Sequence, residues 1–367
     1  MRDCVRISPW QASAYIIMLI LPTAVLFVPS ITAQSAGADA WAALLVALAF
    51  GCMVAVVSSL LASRFPNETV IQYAPKIIGK VPGKLAGFIY AFYFYYVAYF
   101  VQRQFAELMS SVYMVNTPPW VLIGVLTATA CYALYLGIEP LCRTNSLVTI
   151  FFMITIAVIF LFIANVLDMD HFLPALVTPP GQIVFGAYSP GSWLGESAVI
   201  LMLTPFIAEK KKIMVITLWA VFLTFINMLA VTVGAIALFS SEVTARMVFP
   251  SFSLASNVRI ETALAAVRID ALFMAVWVLG MAFKLITFFY AGTQAFAQLF
   301  GIPSYRTLII PGGILITVLS LNSWDNIADL LEFSAQVFPP SIIFVNFVLT
   351  FILLCFSYRL SKNGGKV

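Results

Sequence analysis

Charged residues are the scarcest class in this sequence: Asp, Glu, Lys and Arg supply 9% of its 367 residues, against roughly a quarter in a soluble domain. So few charges cannot build a water-facing exterior for a chain of this length. Histidine occurs once, as His171 beside Asp170, and a lone loop histidine is ordinarily solvated rather than catalytic. The five cysteines, Cys4, Cys52, Cys131, Cys142 and Cys355, are odd in number, scattered and without ligand-like spacing, so they read as small apolar fillers. There is no phosphate loop, no dinucleotide fingerprint and no HExxH pair. No nucleophile, base or metal set can be assembled within the apolar segments. These absences argue against an enzyme, a cofactor and a metal. A net charge of +4, small and dispersed, argues against nucleic acid as a partner.

Apolar residues fill the space that charge leaves. They make up 62% of the chain, mean hydropathy is +1.03, and lipid is a suitable solvent for such a composition. A spanning helix needs about 20 mainly apolar residues. That template predicts an all-α polytopic membrane protein, a single transmembrane domain over residues 1–367. Ten spans are expected near 9–30, 40–63, 84–104, 119–138, 144–166, 183–208, 213–240, 269–299, 306–322 and 335–357. The apolar run after Arg2 and Arg6 is longer than a signal-peptide core and equally long runs follow it, so it reads as an uncleaved first span.

Basic residues orient the spans. Fourteen of the nineteen Lys and Arg fall on segments sharing the N-terminal side, four on the opposite side, and Lys284 lies within the eighth span. The positive-inside rule therefore places both termini in the cytoplasm and requires an even number of spans. Asp168, Asp170, Asp325, Asp329 and Glu332 lean to the outer side. In the long outer connection, Leu254, Val258, Leu264 and Val267 predict a short amphipathic helix over 249–267. Gly79, Gly83 and Gly87 have the spacing of a close helix contact, but Pro82 favours a turn into span three.

Two spans depart from plain apolar helix. Span one carries Pro22-Thr23-Ala24 at mid-membrane and Pro29 further on. Span six carries Trp193-Leu194-Gly195-Glu196-Ser197 with Pro205 beyond, and Glu196 is its deep carboxylate. Proline removes a backbone donor and frees a carbonyl, and a carboxyl in hydrocarbon needs a cavity or a partner. Spans one and six open two five-helix halves, about 9–166 and 183–357. Interrupted helices at corresponding positions of two repeats point to a transporter binding site. Freed N–H groups suit a carboxylate and freed carbonyls an ammonium, a combination that fits a zwitterionic amino acid. For Lys284, proton exchange, the place of a coupling cation and a clamp on freed carbonyls all stay open, as does a pair with Glu196. Span three is dense in aromatics from Tyr90 to Phe100, of which one or two can line a pocket. At its outer end Arg103 and Glu107 are spaced to pair.

The whole chain resembles the spore germination permease family, the GerAB-type B subunits of nutrient germinant receptors, within the amino acid–polyamine–organocation transporters. The resemblance rests on Ser8-Pro9-Trp10-Gln11 and Pro29, Asp39-Ala40-Trp41, Phe65-Pro66, Gly79-Lys80, Phe105-Ala106-Glu107, Thr117-Pro118, Gly137-Ile138-Glu139 with Arg143, Asp170 with Leu173-Pro174, Gly195-Glu196, Phe249-Pro250, and Arg268-Ile269-Asp270 before Trp277. It implies a LeuT-like 5+5 inverted repeat with broken helices 1 and 6. It also implies the sensing of a small nutrient, often an amino acid, in the spore inner membrane. The implied partners are a larger membrane A-type subunit and a lipoprotein C-type subunit. Carried over by position, the pocket comprises Pro22, Thr23, Ala24, Val97, Val101, Gly195, Glu196, Ser197 and Lys284. Relatives often have glycine where this chain has Pro22-Thr23-Ala24. A proton-coupled amino-acid permease would use the same pocket.

Overall fold

The computed structural model describes residues 6–257, 261–262, 265–266 and 269–362. Ser8 opens α1 (Pro9–Ala36) with a reciprocal cap: the Gln11 amide donates to Ser8 Oγ and the Ser8 amide to Gln11 Oε1, at 3.2 and 2.8 Å. Gly37, at φ +54°, ends the helix, and a single turn leads into α2 (Ala40–Arg64). A short helix, α3 (Val70–Ile78), precedes α4 (Lys80–Leu108), α5 (Pro119–Leu136) and α6 (Ile138–Ile163). The second half begins with a span made of short pieces: α7 (Pro180–Gly186), α8 (Tyr188–Gly195), a 3₁₀ turn over Glu196–Val199, α9 (Ile200–Leu203) and a second 3₁₀ turn over Thr204–Phe206. Then follow α10 (Ile213–Phe239), α11 (Ser241–Arg246), α12 (Pro250–Ser256), α13 (Ile269–Phe300) and α14 (Ile309–Asn322). The last span joins α15 (Ile327–Glu332), α16 (Phe338–Ile343) and α17 (Thr350–Lys362) through π turns at Phe333–Val337 and Phe344–Leu349.

Among the described residues, eight helical stretches are long and apolar enough to cross a membrane. The first of them, Pro9–Arg64, contains two helices, and the segmented span at 180–206 adds another crossing. The chain is an integral membrane protein, and its described residues form the ten crossings that hydropathy predicted. Helix α1 is its axis, buried from Ala12 to Ser30 and packed against α10, α13 and α6.

The ends of the bundle are chemically distinct. At one end Ile7 pairs with the exit of span six, its amide donating to Phe206 O at 2.9 Å and its carbonyl accepting from Ala208 at 3.0 Å. At that same end Lys210 donates to Asn67, while Arg64 donates to Ser357 O at 3.0 Å and lies 4.2 Å from the Tyr358 ring.

The opposite end is held by Asp39. Its carboxylate accepts from the Leu176 and Thr178 amides at 2.6 and 3.0 Å. Burial pushes this carboxyl up, but those hydrogen bonds outweigh it and hold Asp39 below the usual carboxylate range. A depressed folded-state pKa means that the clamp contributes fully above the unfolded value of about 3.9 and is lost as pH falls below it. Acid titration followed by thermal unfolding in detergent is expected to show a wild-type loss below about pH 4 that Asp39→Asn does not share.

Three local expectations are revised. Glycine at positions 79 and 83 serves both readings: Gly79 (φ +93°) makes the turn, and Gly83 lies against the backbone of α3 at Ala74 and Pro75. The outer connection is helical over Pro250–Ser256 but not onward to 267, because Glu261–Thr262 pairs as extended chain with Ala265–Ala266. The six-residue gap between Leu254's neighbour Val258 and Leu264 already breaks the helical spacing; residues 258–260, 263–264 and 267–268 lie outside the described residues. His171 is only part-buried, and its Nδ1 pairs with Ala237 O at the end of α10, 3.0 Å away.

Candidate functional site

The expected interruption of span one is absent: α1 runs continuously through Pro22, Thr23 and Ala24. The physical reason lies in its neighbours. In an unbroken helix Val25 O would accept from residue 29, but Pro29 has no N–H; Ser251 Oγ of α12 supplies that donor. Trp277 Nε1 of α13 donates to Pro22 O at 2.9 Å. Thr23 and Ala24 both carry Cβ atoms and hold the backbone in the helical region without a glycine. Close packing adds to this. A Cβ on Gly280 would stand 2.7 Å from Pro22 Cγ, so only glycine lets α13 approach this closely. Trp277→Phe deletes one hydrogen bond to Pro22 O of α1 and is expected to cost about 1 kcal/mol, read as a lowered unfolding midpoint.

The interruption of span six is present at the expected residues. Helix α8 ends at Gly195, and Glu196, Ser197, Ala198 and Val199 turn as 3₁₀ before the helix resumes. The close fit of α8 on α2 needs Gly51, where a Cβ would sit 2.6 Å from Leu194 Cβ. Gly195 faces Phe50 and Val54 of α2 at ordinary contact distance.

Glu196 and Lys284 meet. Lys284 Nζ of α13 donates to Glu196 Oε2 at 2.8 Å, and the two side chains are 1% and 0% exposed. Lys284 Nζ also lies 5.8 Å from the Phe288 ring centroid. Pairing answers the cost of two charges away from water, since neither is tolerable there alone. The pairing is incomplete: Glu196 Oε1 is buried without a partner, as are Ser197 Oγ and Trp193 Nε1 on the same break. One turn from Lys284, Thr23 Oγ1 reaches Met281 Sδ at 3.8 Å.

Val97 and Val101 are fully buried on α4, the helix that packs along α13. The α4 residue with polar reach toward the pair is Tyr93, one turn before Val97. Its hydroxyl accepts from Asn346 Nδ2 at 2.9 Å and lies within electrostatic range of Glu196. Asn346 stands in the second π turn of the last span, a distortion that recurs at functional sites. Sequence reasoning missed it, because a single Asn in an apolar run carries no spacing signal. It also missed Gln104. That residue is seven positions beyond Val97 on the same helical stripe, fully buried, and both amide atoms lack partners. An uncharged glutamine beside Arg103 was the available signal. Arg103 and Glu107 do pair, at 2.7 Å. Two other span-three tyrosines reach threonine hydroxyls: Tyr90 pairs with Thr350 and Tyr95 with Thr293, at 2.7 and 3.2 Å. A groove of about 340 Å³ is lined by Phe88, Phe92, Tyr93, Tyr96, Phe333 and Val337, of which Phe88, Phe92 and Val337 are exposed.

An interrupted span six, a central α1 and a buried ion pair on the flank of α13 are set within one helical membrane bundle. The fold is similar to the crystal structure of MhsT in complex with L-phenylalanine, with a TM-score of 0.69 at 13% identity, covering 95% of this chain and 97% of that one. It is similar as well to the substrate-bound, outward-open Na⁺-coupled sialic acid symporter, with a TM-score of 0.66 at 13% identity, over 95% and 80% of the two chains. The fold class is therefore LeuT-like. The family model for spore germination proteins, the spore permeases, matches residues 6–327, and the chain belongs to that family. Spore germination protein KB of Bacillus subtilis (strain 168) is 26% identical over 363 residues, covering 98% of this chain and 95% of that protein.

Proposed function

We propose that this protein is the permease-like subunit of a nutrient germinant receptor. In this reading a small molecule, most simply an amino acid, binds at the midplane beside the break in span six, and its binding triggers spore germination. The observation that carries the reading is the Glu196–Lys284 pair against a 3₁₀ break, within a chain of the germination family. Pro22, Thr23, Ala24, Val97, Val101, Gly195 and Ser197 form the walls. A ligand acts here by binding one of two conformations more tightly, and the partners that read the change are a larger A-type membrane subunit and a C-type lipoprotein. Catalysis has no part in it.

The location that fits is the spore inner membrane. The clustering of Arg64, Lys210 and the N-terminal segment at one end of the bundle supports cytoplasmic termini.

The same LeuT-like fold suits a second reading, a proton-coupled permease that carries its amino acid across. Spores lacking this protein are expected to lose their response to one or more L-amino acids and regain it on complementation; an unchanged response removes the receptor reading. Proton-driven accumulation of a radiolabelled amino acid by the purified protein in liposomes would establish the permease instead. Substituting Thr23 by Val is expected to alter nutrient sensitivity without loss of protein, and an unchanged dose response takes Thr23 out of the site.

A further inference from the structure

We propose that the Glu196–Lys284 pair is an internal stand-in for the ligand, closing the empty site, and that a zwitterionic amino acid opens it by replacing each partner's counter-charge. The inference rests on the reading of this site as an amino-acid site. In it the ligand ammonium takes Lys284's place on Glu196, and the ligand carboxylate takes Glu196's place on Lys284.

The geometry of span one motivates this. A binding site with two broken helices presents freed backbone groups from both. Here α1 is continuous, Pro22 O is engaged by Trp277, and Val25 O, left without its helical donor, is engaged by Ser251. Those two carbonyls of span one are therefore spoken for, and the opposite charges that a zwitterion needs come instead from two side chains. Those side chains neutralise each other at 2.8 Å, which keeps the resting site from holding two bare charges in an apolar interior.

Unused polar capacity lies on the same short stretch of span six. Glu196 Oε1, Ser197 Oγ and Trp193 Nε1 are all buried and without partners. A bound ammonium has three N–H donors to distribute, and Glu196 Oε1 with Ser197 Oγ can accept two of them; Trp193 Nε1 can donate to a carboxylate. A ligand with one charge cannot do this. An amine satisfies Glu196 and strands Lys284, and a carboxylic acid satisfies Lys284 and strands Glu196, so each leaves a buried unpaired charge.

The experiment is thermal stabilisation of the purified full-length protein in lipid nanodiscs by each of the common L-amino acids, followed by the matching amine without its carboxylate and the matching acid without its amine. At least one amino acid is expected to raise the unfolding midpoint, with both single-charge analogues weaker by about 10–100-fold or more. The variant E196Q/K284M, which keeps no net buried charge, is expected to fold and to lose that affinity by a similar factor. Should it fail to fold, the wild-type comparison with the two analogues decides alone. Equal binding of an amine or an acid overturns the inference, as does a folded double variant with wild-type affinity or the absence of stabilisation by every amino acid. The broader reading fails separately, when spores lacking the protein still respond normally to every nutrient.

Discussion

Lys284→Met is expected to lower folding stability by roughly 3–5 kcal/mol, because it strands the Glu196 carboxylate in an apolar interior. Glu196→Gln strands the ammonium and carries a cost of the same order. The pair is fully enclosed, so neither survivor can turn outward to water. The double variant E196Q/K284M removes both charges, and its stability is expected to recover most of the loss, because a buried ion pair gains little over a neutral replacement. Thermal unfolding of the three variants in detergent forms a double-mutant cycle. A coupling near zero would mean that the two charges do not depend on each other. Stability and response are expected to separate: the double variant accumulates in the membrane, yet germination driven by amino acids is impaired.

Gly83→Ala is expected to destabilise at the upper end of about 1–3 kcal/mol, although it adds a single methyl group. That methyl carbon would sit 2.2 Å from Pro75 Cα and 2.4 Å from Pro75 N. Both neighbours are backbone atoms of α3, so no rotamer change can relieve the clash and the two helices must part. Gly124→Ala provides the contrast. Nothing lies within 4 Å of its added Cβ on α5, and helix propensity alone then stabilises by about 0.5–1 kcal/mol. Opposite shifts of the unfolding midpoint test the assignment; a tolerated Gly83→Ala would show that α3 is not docked on α4.

Much of the fold was legible along the chain because its determinants are local. Twenty apolar residues make a span wherever they occur, so the boundaries of α2, α4, α5, α10 and α13 follow hydropathy closely. Arg103 and Glu107 pair because four residues on a helix bring side chains together whatever surrounds them. The amphipathic α3 escaped notice, since nine residues are too few for a hydropathy window set to membrane thickness. The extended pairing of residues 261–262 with 265–266 escaped for a related reason, being a contact rather than a composition.

The site divides along the same line. Gly195-Glu196 and Pro205 mark a segment that cannot be a plain apolar helix, and the turn at Glu196–Val199 lies there. In span one the same kind of mark misled, because a proline says only that one donor is missing. Whether the helix then breaks depends on its neighbours: Ser251, 226 residues away, covers the carbonyl that Pro29 frees, and Trp277, 255 residues from Pro22, adds a donor to Pro22 O. Hydropathy, span order and the residues at the span-six turn were settled by the sequence itself, since each depends on neighbours within a few turns. The continuity of α1, the meeting of Glu196 with Lys284 across 88 residues, and the unpartnered polar atoms around them were decided by tertiary packing alone. Opposite charges in an apolar interior must find each other, but which ones do is fixed only when the helices are laid side by side.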